Sequence, residues 1–147
     1  MLEKLAADDV FYRLLAGLLM PETLLANDNT DRALGRSQKQ ISALCEFLQA
    51  NLTKPIALTQ MEQISGLSAR SLQYAFQKSY GMRPKGWVRK QRLHAARAVL
   101  LKPDHAVKLT ALAYEFCFPS PSVFSHAYQM EFGELPSETL NRKRTAS

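Results

Sequence analysis

An internal repeat constrains the fold of this chain more than any other feature of its sequence. Residues 68–84 match residues 120–136 at a constant offset of 52 positions. The matched pairs are Ser68 with Ser120, Leu72 with Phe124, Ala75 with Ala127, Phe76 with Tyr128, Gln77 with Gln129, Tyr80 with Phe132, Gly81 with Gly133 and Pro84 with Pro136. Any two amphipathic helices could share the apolar spacing, but the Gly-x-x-Pro ending in register indicates a duplicated unit.

Each copy of the repeat has the pattern of a short helix, a tight turn and a second helix that begins after a serine. The turn of the first copy is Ser65-Gly66-Leu67, and that of the second is Phe116-Cys117-Phe118-Pro119. Glycine at the turn allows left-handed backbone angles at little steric cost. Two helices joined in this way are typical of a helix-turn-helix unit.

The remaining sequence also predicts helices, with no strand-like alternation of any length. Apolar residues at helical spacing predict a helix over about 37–51, with Ser37 as its N-cap, and a longer one from Pro84 to about Leu101. An N-terminal helix is predicted over 2–20, and residues 22–36 are polar and read as a linker. We therefore expect an all-α protein with two homeodomain-like helix-turn-helix subdomains, a long linker helix and an N-terminal helix.

The linker helix sets the predicted domain organisation. We expect residues 1–36 to form the N-terminal helix and linker, followed by a helical domain over 37–144. That domain divides into a first unit (37–84), the linker helix (85–102) and a second unit (103–144). A helix over Lys85–Leu101 would span roughly 26 Å. Two units at its ends could then place their second helices in major grooves about 34 Å apart.

Charge is distributed unevenly along the chain, whose net charge is +6. Residues 1–35 sum to −3 and residues 36–147 to +9. A basic domain of this kind favours a polyanionic partner, although a solvated basic surface is an alternative. Cys45 and Cys117 lack metal-ligand spacing, and we expect both to be free and buried, with no metal or cofactor. No signal peptide or membrane span is visible, so a cytoplasmic location is expected.

The sequence resembles the AraC/XylS family of transcription regulators over about Ser37 to Arg144. The linker-helix match is carried by Gly81-Met82-Arg83-Pro84, Trp87 and Arg92-Leu93-His94-Ala95-Ala96-Arg97. The second-unit match is carried by Leu112-Ala113, Phe118, Ser120, Phe124-Ser125, Tyr128, Phe132-Gly133 and Pro136-Ser137. The resemblance implies seven helices, sequence-specific binding to double-stranded DNA, and transcription regulation, by activation and contact with RNA polymerase.

The sequence departs from the family pattern at four positions. Cys117 stands where the second turn usually has glycine, and Glu62 where the helices of the first unit usually cross at a small residue. Ala57 replaces a Ser or Thr N-cap, and Trp87 replaces a tyrosine. Most family members also carry an effector or dimerisation domain ahead of this one. Residues 1–35 resemble the junction to such a domain, so a fragment of a longer regulator is expected.

Residues at the exposed N-terminal face of each second helix are the candidates for reading bases. In the first unit these are Arg70, Gln73 and Tyr74, which also match base-contacting positions of the family. Arg can bind guanine and Gln can bind adenine through two hydrogen bonds. In the second unit the candidates are the shorter Ser122, Ser125 and His126. We expect the second unit to contribute mainly backbone contacts and shape readout.

Hydroxyl and basic side chains near these helices are the candidates for phosphate contacts. They are Ser68, Ser71, Lys78, Arg89, Lys90 and Ser120. Arg92 and Arg97 are instead expected to brace the linker helix. The apolar residues at buried-face spacing are predicted as core: Leu72, Phe76, Tyr80, Trp87, Leu93, Leu100, Leu112, Phe118, Phe124 and Tyr128.

Two other functional classes are alternatives to DNA binding. An enzyme is disfavoured because His94, His105 and His126 are scattered and no triad, metal motif or phosphate loop is visible. A protein–protein interaction module with a degenerate helix-turn-helix is the remaining alternative. The apolar face of residues 10–19 could bind a partner helix or a second copy of the chain.

Overall fold

The computed structural model of the chain describes residues 28–102 and 106–146. These residues form seven α-helices and contain no strand. The helices are α1 (Asp28–Ala50), α2 (Leu58–Ser65), α3 (Ala69–Tyr80), α4 (Pro84–Leu101), α5 (Leu109–Glu115), α6 (Pro121–Phe132) and α7 (Pro136–Ala146). The predicted all-α class is confirmed. The helix predicted over 2–20, with its apolar face at 10–19, lies outside the described residues.

The first helix begins earlier than predicted. It starts at Asp28, so the prediction that it begins at an N-cap Ser37 is wrong, as is the linker interpretation for residues 28–36. Asp and Asn are common in loops but also favour the first turn of a helix, so composition alone did not distinguish the two. Arg32 and Arg36 are good helix formers, and no proline interrupts the segment.

Backbone contacts divide the chain into two compact units. Unit 1 contains the described residues 28–47 together with Ala57–Trp87. Unit 2 contains Leu48–Ile56 together with residues 88–102 and 106–146. Helix α4 therefore contributes its first turn to unit 1 and the rest to unit 2. The segment before α2 belongs to unit 2 although the chain returns to unit 1 directly afterwards.

The core of unit 1 is built from α1, α2, α3 and the first turn of α4. Its buried apolar residues include Ile41, Leu44, Met61, Leu72, Phe76 and Trp87. The ring centroid of Trp87 lies 5.9 Å from that of Phe76 and 5.5 Å from that of Tyr80. The Cys45 thiol lies 3.4 Å from the Tyr80 hydroxyl. Burial raises the pKa of Cys45, and the hydrogen bond with Cys45 raises the pKa of Tyr80 to about 12.

The core of unit 2 is an aromatic cluster between α4, α5, α6 and α7. Its fully or almost fully buried members include Leu93, Ala96, Leu100, Leu112, Ala113, Phe116, Phe118, Phe124 and Tyr128. Ring centroids of Phe118 and Phe124 lie 5.1 Å apart, and those of Phe124 and Tyr128 lie 5.8 Å apart. All predicted core residues of both units are buried except Tyr80, which is partly buried.

A polar network joins α6 to α7 inside unit 2. The Tyr128 hydroxyl donates to Thr139 Oγ1 at 2.9 Å, and the Thr139 hydroxyl donates to a carboxylate oxygen of Glu134 at 2.6 Å. The same carboxylate pairs with Arg142, and with Arg97 at 3.6 Å. These contacts hold the pKa of Glu134 below its ordinary value, the Thr139 hydrogen bond having the largest effect. Burial raises the pKa of Tyr128.

Two arginines of α4 make structural contacts, as predicted. Arg92 donates from Nε to the Leu52 carbonyl at 2.9 Å and from Nη2 to the Lys54 carbonyl at 2.8 Å. Arg97 places its guanidinium 4.5 Å from the centre of the Phe132 ring. Arg92 thus ties the segment that follows α1 to the linker helix, and Arg97 ties the linker helix to α6.

None of the described helices is both long enough and apolar enough to cross a membrane.

Candidate nucleic-acid interface

Helices α2 and α3 form the first helix-turn-helix. Gly66 ends α2 in the left-handed conformation (φ 71°), and its N–H donates to the Glu62 carbonyl at 2.8 Å. Ser68 then caps α3, because its Oγ accepts from the Ser71 backbone N–H at 3.2 Å. Ala57 starts α2 without a side-chain cap. The left-handed turn at Gly66 and the cap at Ser68 therefore fix the direction in which α3 runs after the turn.

Glu62 takes part in starting α3. Its carboxylate accepts a hydrogen bond from the Ala69 backbone N–H at 2.6 Å. Helix α3 has no acidic residue in its own first turn, so Glu62 supplies the negative charge that a helix N-terminus favours. Glu62 stands where the family usually has a small residue, and here its carboxylate is a second cap on α3 in addition to Ser68.

Helices α5 and α6 form the second helix-turn-helix with a different turn. Cys117 is the one non-glycine residue with a positive φ (62°) in the described part of the chain. Its thiol donates to the Thr53 carbonyl at 3.4 Å, and the next residue, Phe118, donates its N–H to the Ala113 carbonyl at 2.9 Å. Both cysteines are free, as predicted, but Cys117 is only partly buried because it lies in this turn.

The start of α6 repeats the start of α3. Ser120 Oγ accepts from the Val123 backbone N–H at 3.2 Å, and Pro121 occupies the first helical turn. Gly81 and Gly133 end α3 and α6 with φ values of 68° and 73°. The serine, glycine and proline positions of the sequence repeat therefore mark the same helix boundaries in both units.

The predicted base-contacting residues of unit 1 lie together on one exposed face of α3. Arg70, Gln73 and Tyr74 are exposed, with Tyr74 50% accessible, whereas Leu72 and Phe76 on the opposite face are fully buried. Arg70 makes no ion pair with another described residue. The guanidinium and amide groups on this face are thus available for contacts with base edges.

The candidate side chains on the exposed face of α6 are shorter than those of α3, and apolar residues lie beside them. Ser122 and His126 are exposed, and Ser125 is partly buried. Two apolar residues that the sequence analysis did not select, Val123 and Met130, are 37% and 76% accessible. The repeat could have identified Val123, because it occupies the position of Ser71 in the first unit.

The phosphate candidates differ in how free their polar groups are. Ser68, Ser71, Lys78 and Arg89 are exposed, and Ser120 is partly buried at its cap. Lys90 is also partly buried, and its Nζ lies 3.5 Å from the Glu131 carboxylate, which contacts His94 Nε2 at 3.0 Å. Lys90 is therefore ion-paired with Glu131, whereas Lys78 and Arg89 make no ion pair within the described residues.

A groove of about 720 Å³ runs beside α3 in unit 1. Helix α1 lines one side with Ser37, Gln38 and Ile41, and α3 contributes Arg70 and Lys78 to the other side. No residue of α1 is among the predicted site residues. Its contribution depends on which helix packs beside α3, which local periodicity does not specify.

Comparison with known proteins places the fold in a family. A family described as a helix-turn-helix domain matches residues 61–142. The XylDLEGF operon transcriptional activator 1 of Pseudomonas putida is 30% identical over 132 residues, which is 88% of this chain and 40% of the activator. A probable thc operon regulatory protein of Rhodococcus erythropolis is 31% identical over 144 residues, 94% of this chain and 43% of the relative. The chain thus spans about two fifths of these relatives.

A solved structure agrees with this assignment. The crystal structure of a probable AraC family transcriptional regulator from Rhodopseudomonas palustris has 31% sequence identity and a TM-score of 0.67. The match covers 71% of this chain and 97% of that one. The repeat, the two turns and these similarities lead to one conclusion: the chain belongs to the AraC/XylS family of helix-turn-helix transcription regulators.

Proposed function

We propose that this chain binds double-stranded DNA in a sequence-specific manner and regulates transcription, as an activator. The observation that carries the proposal is the pair of capped helices, α3 and α6, each presenting an exposed face on a helix-turn-helix. The relatives that the chain matches include operon transcriptional activators. The intact turns and caps of both units do not favour a degenerate helix-turn-helix that binds only proteins.

Unit 1 reads bases through hydrogen bonds in this proposal. Arg70 binds a guanine through two hydrogen bonds, Gln73 binds an adenine, and Tyr74 packs on the adjoining base or sugar. The support is structural: the three side chains share one exposed face of α3, and its opposite face is buried. Losing one such bidentate contact changes discrimination by about 1–3 kcal/mol.

Unit 2 reads through Ser122, Ser125 and His126, which are shorter or less exposed. We infer that its contribution consists largely of backbone contacts and shape readout. Ser68, Ser71, Lys78, Arg89, Lys90 and Ser120 are proposed to contact phosphates, with Lys90 doing so after it leaves Glu131. The two helices then occupy successive major grooves, with half-sites about 10–10.5 base pairs apart.

We further propose that the chain works in the bacterial cytoplasm, where as an activator it contacts RNA polymerase. Self-association through residues 10–19 is a further proposal, and those residues lie outside the described part of the chain. Alanine substitutions that abolish activation while DNA affinity stays intact would locate the polymerase contact.

The testing experiment is selection of binding sites from a pool of randomised duplexes, with the unmodified chain and with Arg70→Ala. We expect a bipartite site whose base preference is lost at one half in the variant. Lys78→Ala serves as a comparison, because Lys78 caps no helix end and loss of a phosphate contact should weaken binding evenly across sequences. No enriched sequence, together with weak binding that depends only on salt, would contradict the proposed function.

A further inference from the structure

The structurally equivalent third residues of α3 and α6 have different chemistry. Ser71 and Val123 occupy the same repeat position, and their backbone N–H groups donate to the capping serines Ser68 and Ser120 at the same distance of 3.2 Å. Ser71 presents a hydroxyl at this point, whereas Val123 presents an isopropyl group that is 37% accessible. An apolar group therefore replaces a hydrogen-bonding one on the exposed face of unit 2.

Val123 lies at the edge of the exposed face of α6. Ser122, the preceding residue, is small and exposed, and the exposed His126 lies one turn further along the same side of the helix. A valine side chain cannot hydrogen-bond to a phosphate or to a base edge, so it can contribute to recognition only through apolar contacts. In the major groove the apolar feature that distinguishes one base from the others is the 5-methyl group of thymine.

We propose that Val123 reads the 5-methyl group of a thymine in the half-site bound by unit 2. The inference rests on the proposed function, since it requires α6 to lie in a major groove. It gives unit 2 a base preference that does not depend on hydrogen bonds. The two half-sites are then read by different chemistry, with polar contacts from α3 and a methyl contact from α6.

The test uses the full chain and the duplex recovered from the randomised pool. Each thymine of the second half-site is replaced in turn by deoxyuridine, which pairs identically but lacks the methyl group. We expect one replacement to weaken binding about fourfold, the factor that corresponds to burying one methyl-sized group. Val123→Ala should weaken binding of the unmodified duplex by a similar factor and be insensitive to that replacement.

Matched variants separate this contact from general effects on α6. Met130→Ala removes another exposed apolar side chain of the same helix and should leave the deoxyuridine effect unchanged. Val123→Ser, which installs the residue of the first unit, should abolish that effect. Arg70→Ala should retain it, because Arg70 is assigned to the other half-site.

The outcomes distinguish this inference from the function on which it rests. If a bipartite, Arg70-dependent site is recovered and no deoxyuridine replacement alters affinity, the role of Val123 is refuted while the proposed function stands. The same holds if the second half-site has no preferred thymine, or if Val123→Ala keeps full sensitivity to the missing methyl group. If the pool yields no enriched sequence, the proposed function and the inference fall together.

Discussion

In the two helix-turn-helix units the helices begin and end at equivalent positions, but different residues stabilise those helix ends. Unit 1 uses Gly66 in its left-handed turn position, and unit 2 uses Cys117, which contacts the Thr53 carbonyl. Counting back from these turns, Glu62 of unit 1 corresponds to Ala113 of unit 2. The carboxylate caps α3, whereas the alanine is fully buried. The difference shows that helix ends are the fixed part of this repeat, and the residues that support them can change.

The same contrast holds where each second helix meets the helix that follows it. Phe76 and Trp87 correspond to Tyr128 and Thr139 at the repeat offset. In unit 1 the pair makes an edge-on aromatic contact, and in unit 2 it makes a hydrogen bond that continues to Glu134. One packing position is thus filled by apolar surface in one unit and by a polar network in the other.

The largest effect expected from breaking the comparison is at Glu62. Glu62→Ala, which installs the residue of unit 2, should lower the free energy of unfolding by about 1.5–3 kcal/mol, since it removes a hydrogen bond to a charged acceptor. Urea unfolding followed by fluorescence would measure this, because Trp87 is the single tryptophan and lies in the core of unit 1.

Glu62→Gln is the matched control, because it keeps an acceptor oxygen without the charge. Its loss should be smaller than that of the alanine variant. Equal stability of the alanine variant and the unmodified chain would mean that Ser68 alone is a sufficient cap for α3, as Ser120 is for α6.

An intermediate effect is expected from comparing glycine with alanine in the two turns. Gly66→Ala should destabilise the chain by about 1–2 kcal/mol, the cost of a left-handed residue with a Cβ. The added Cβ would lie 3.6 Å from Gln40 Nε2, an ordinary contact, so the cost is conformational. In unit 2, Cys117→Gly should be more stable than Cys117→Ala by a similar amount.

The two Cys117 variants both lack the thiol, so their difference isolates the turn conformation from the contact with Thr53. Thermal unfolding followed by circular dichroism would compare all three variants with the unmodified chain. If alanine and glycine are equivalent at position 117, the turn of unit 2 does not impose the left-handed conformation seen at Cys117 (φ 62°).

The smallest effect concerns pH and should arise in unit 2. The pKa of Glu134 lies below its ordinary value of 4.5, because the folded unit donates a hydrogen bond from Thr139 and places Arg142 and Arg97 nearby. A lowered pKa stabilises the fold above the ordinary value, and this contribution is lost as the pH falls through the folded-state pKa.

Glu134→Gln should therefore lower the melting temperature at pH 7, and the difference from the unmodified chain should shrink as the pH drops below about 4.5. Melting curves of both proteins across this range would measure it. A difference that does not change with pH would assign the role of Glu134 to packing and not to its charge.

Much of the fold was predictable because the repeat combines local signals that agree. Ser68, Ser120, Gly81 and Gly133 mark helix ends through backbone chemistry that acts within a few residues. The exposed face of α3 followed from the same periodicity that identified its buried face. The resemblance to a family added the helix count and the positions of the base-reading candidates.

The features that escaped prediction depend on contacts between residues far apart in sequence, or on ambiguous composition. The polar start of α1 resembles a linker, because Asp and Asn suit both settings. In the sequence Glu62 was visible only as a departure from a family pattern. Its capping role depends on the hydrogen bond between its carboxylate and the Ala69 N–H, which the sequence does not reveal. Lys90 was selected for its charge, and its proximity to Glu131 on α6 became visible only in three dimensions.

The assignment of Leu48–Ile56 to unit 2 affects how these units could be separated or exchanged. A single cut between Trp87 and Val88 would remove from unit 2 the segment whose carbonyls accept hydrogen bonds from Arg92 and Cys117. The two units are thus interleaved along the polypeptide, and each contains two separate segments of the chain. A chimera that transplants unit 2 into another regulator must therefore carry both of its segments. A fusion at one junction would leave three hydrogen-bond donors without their acceptors.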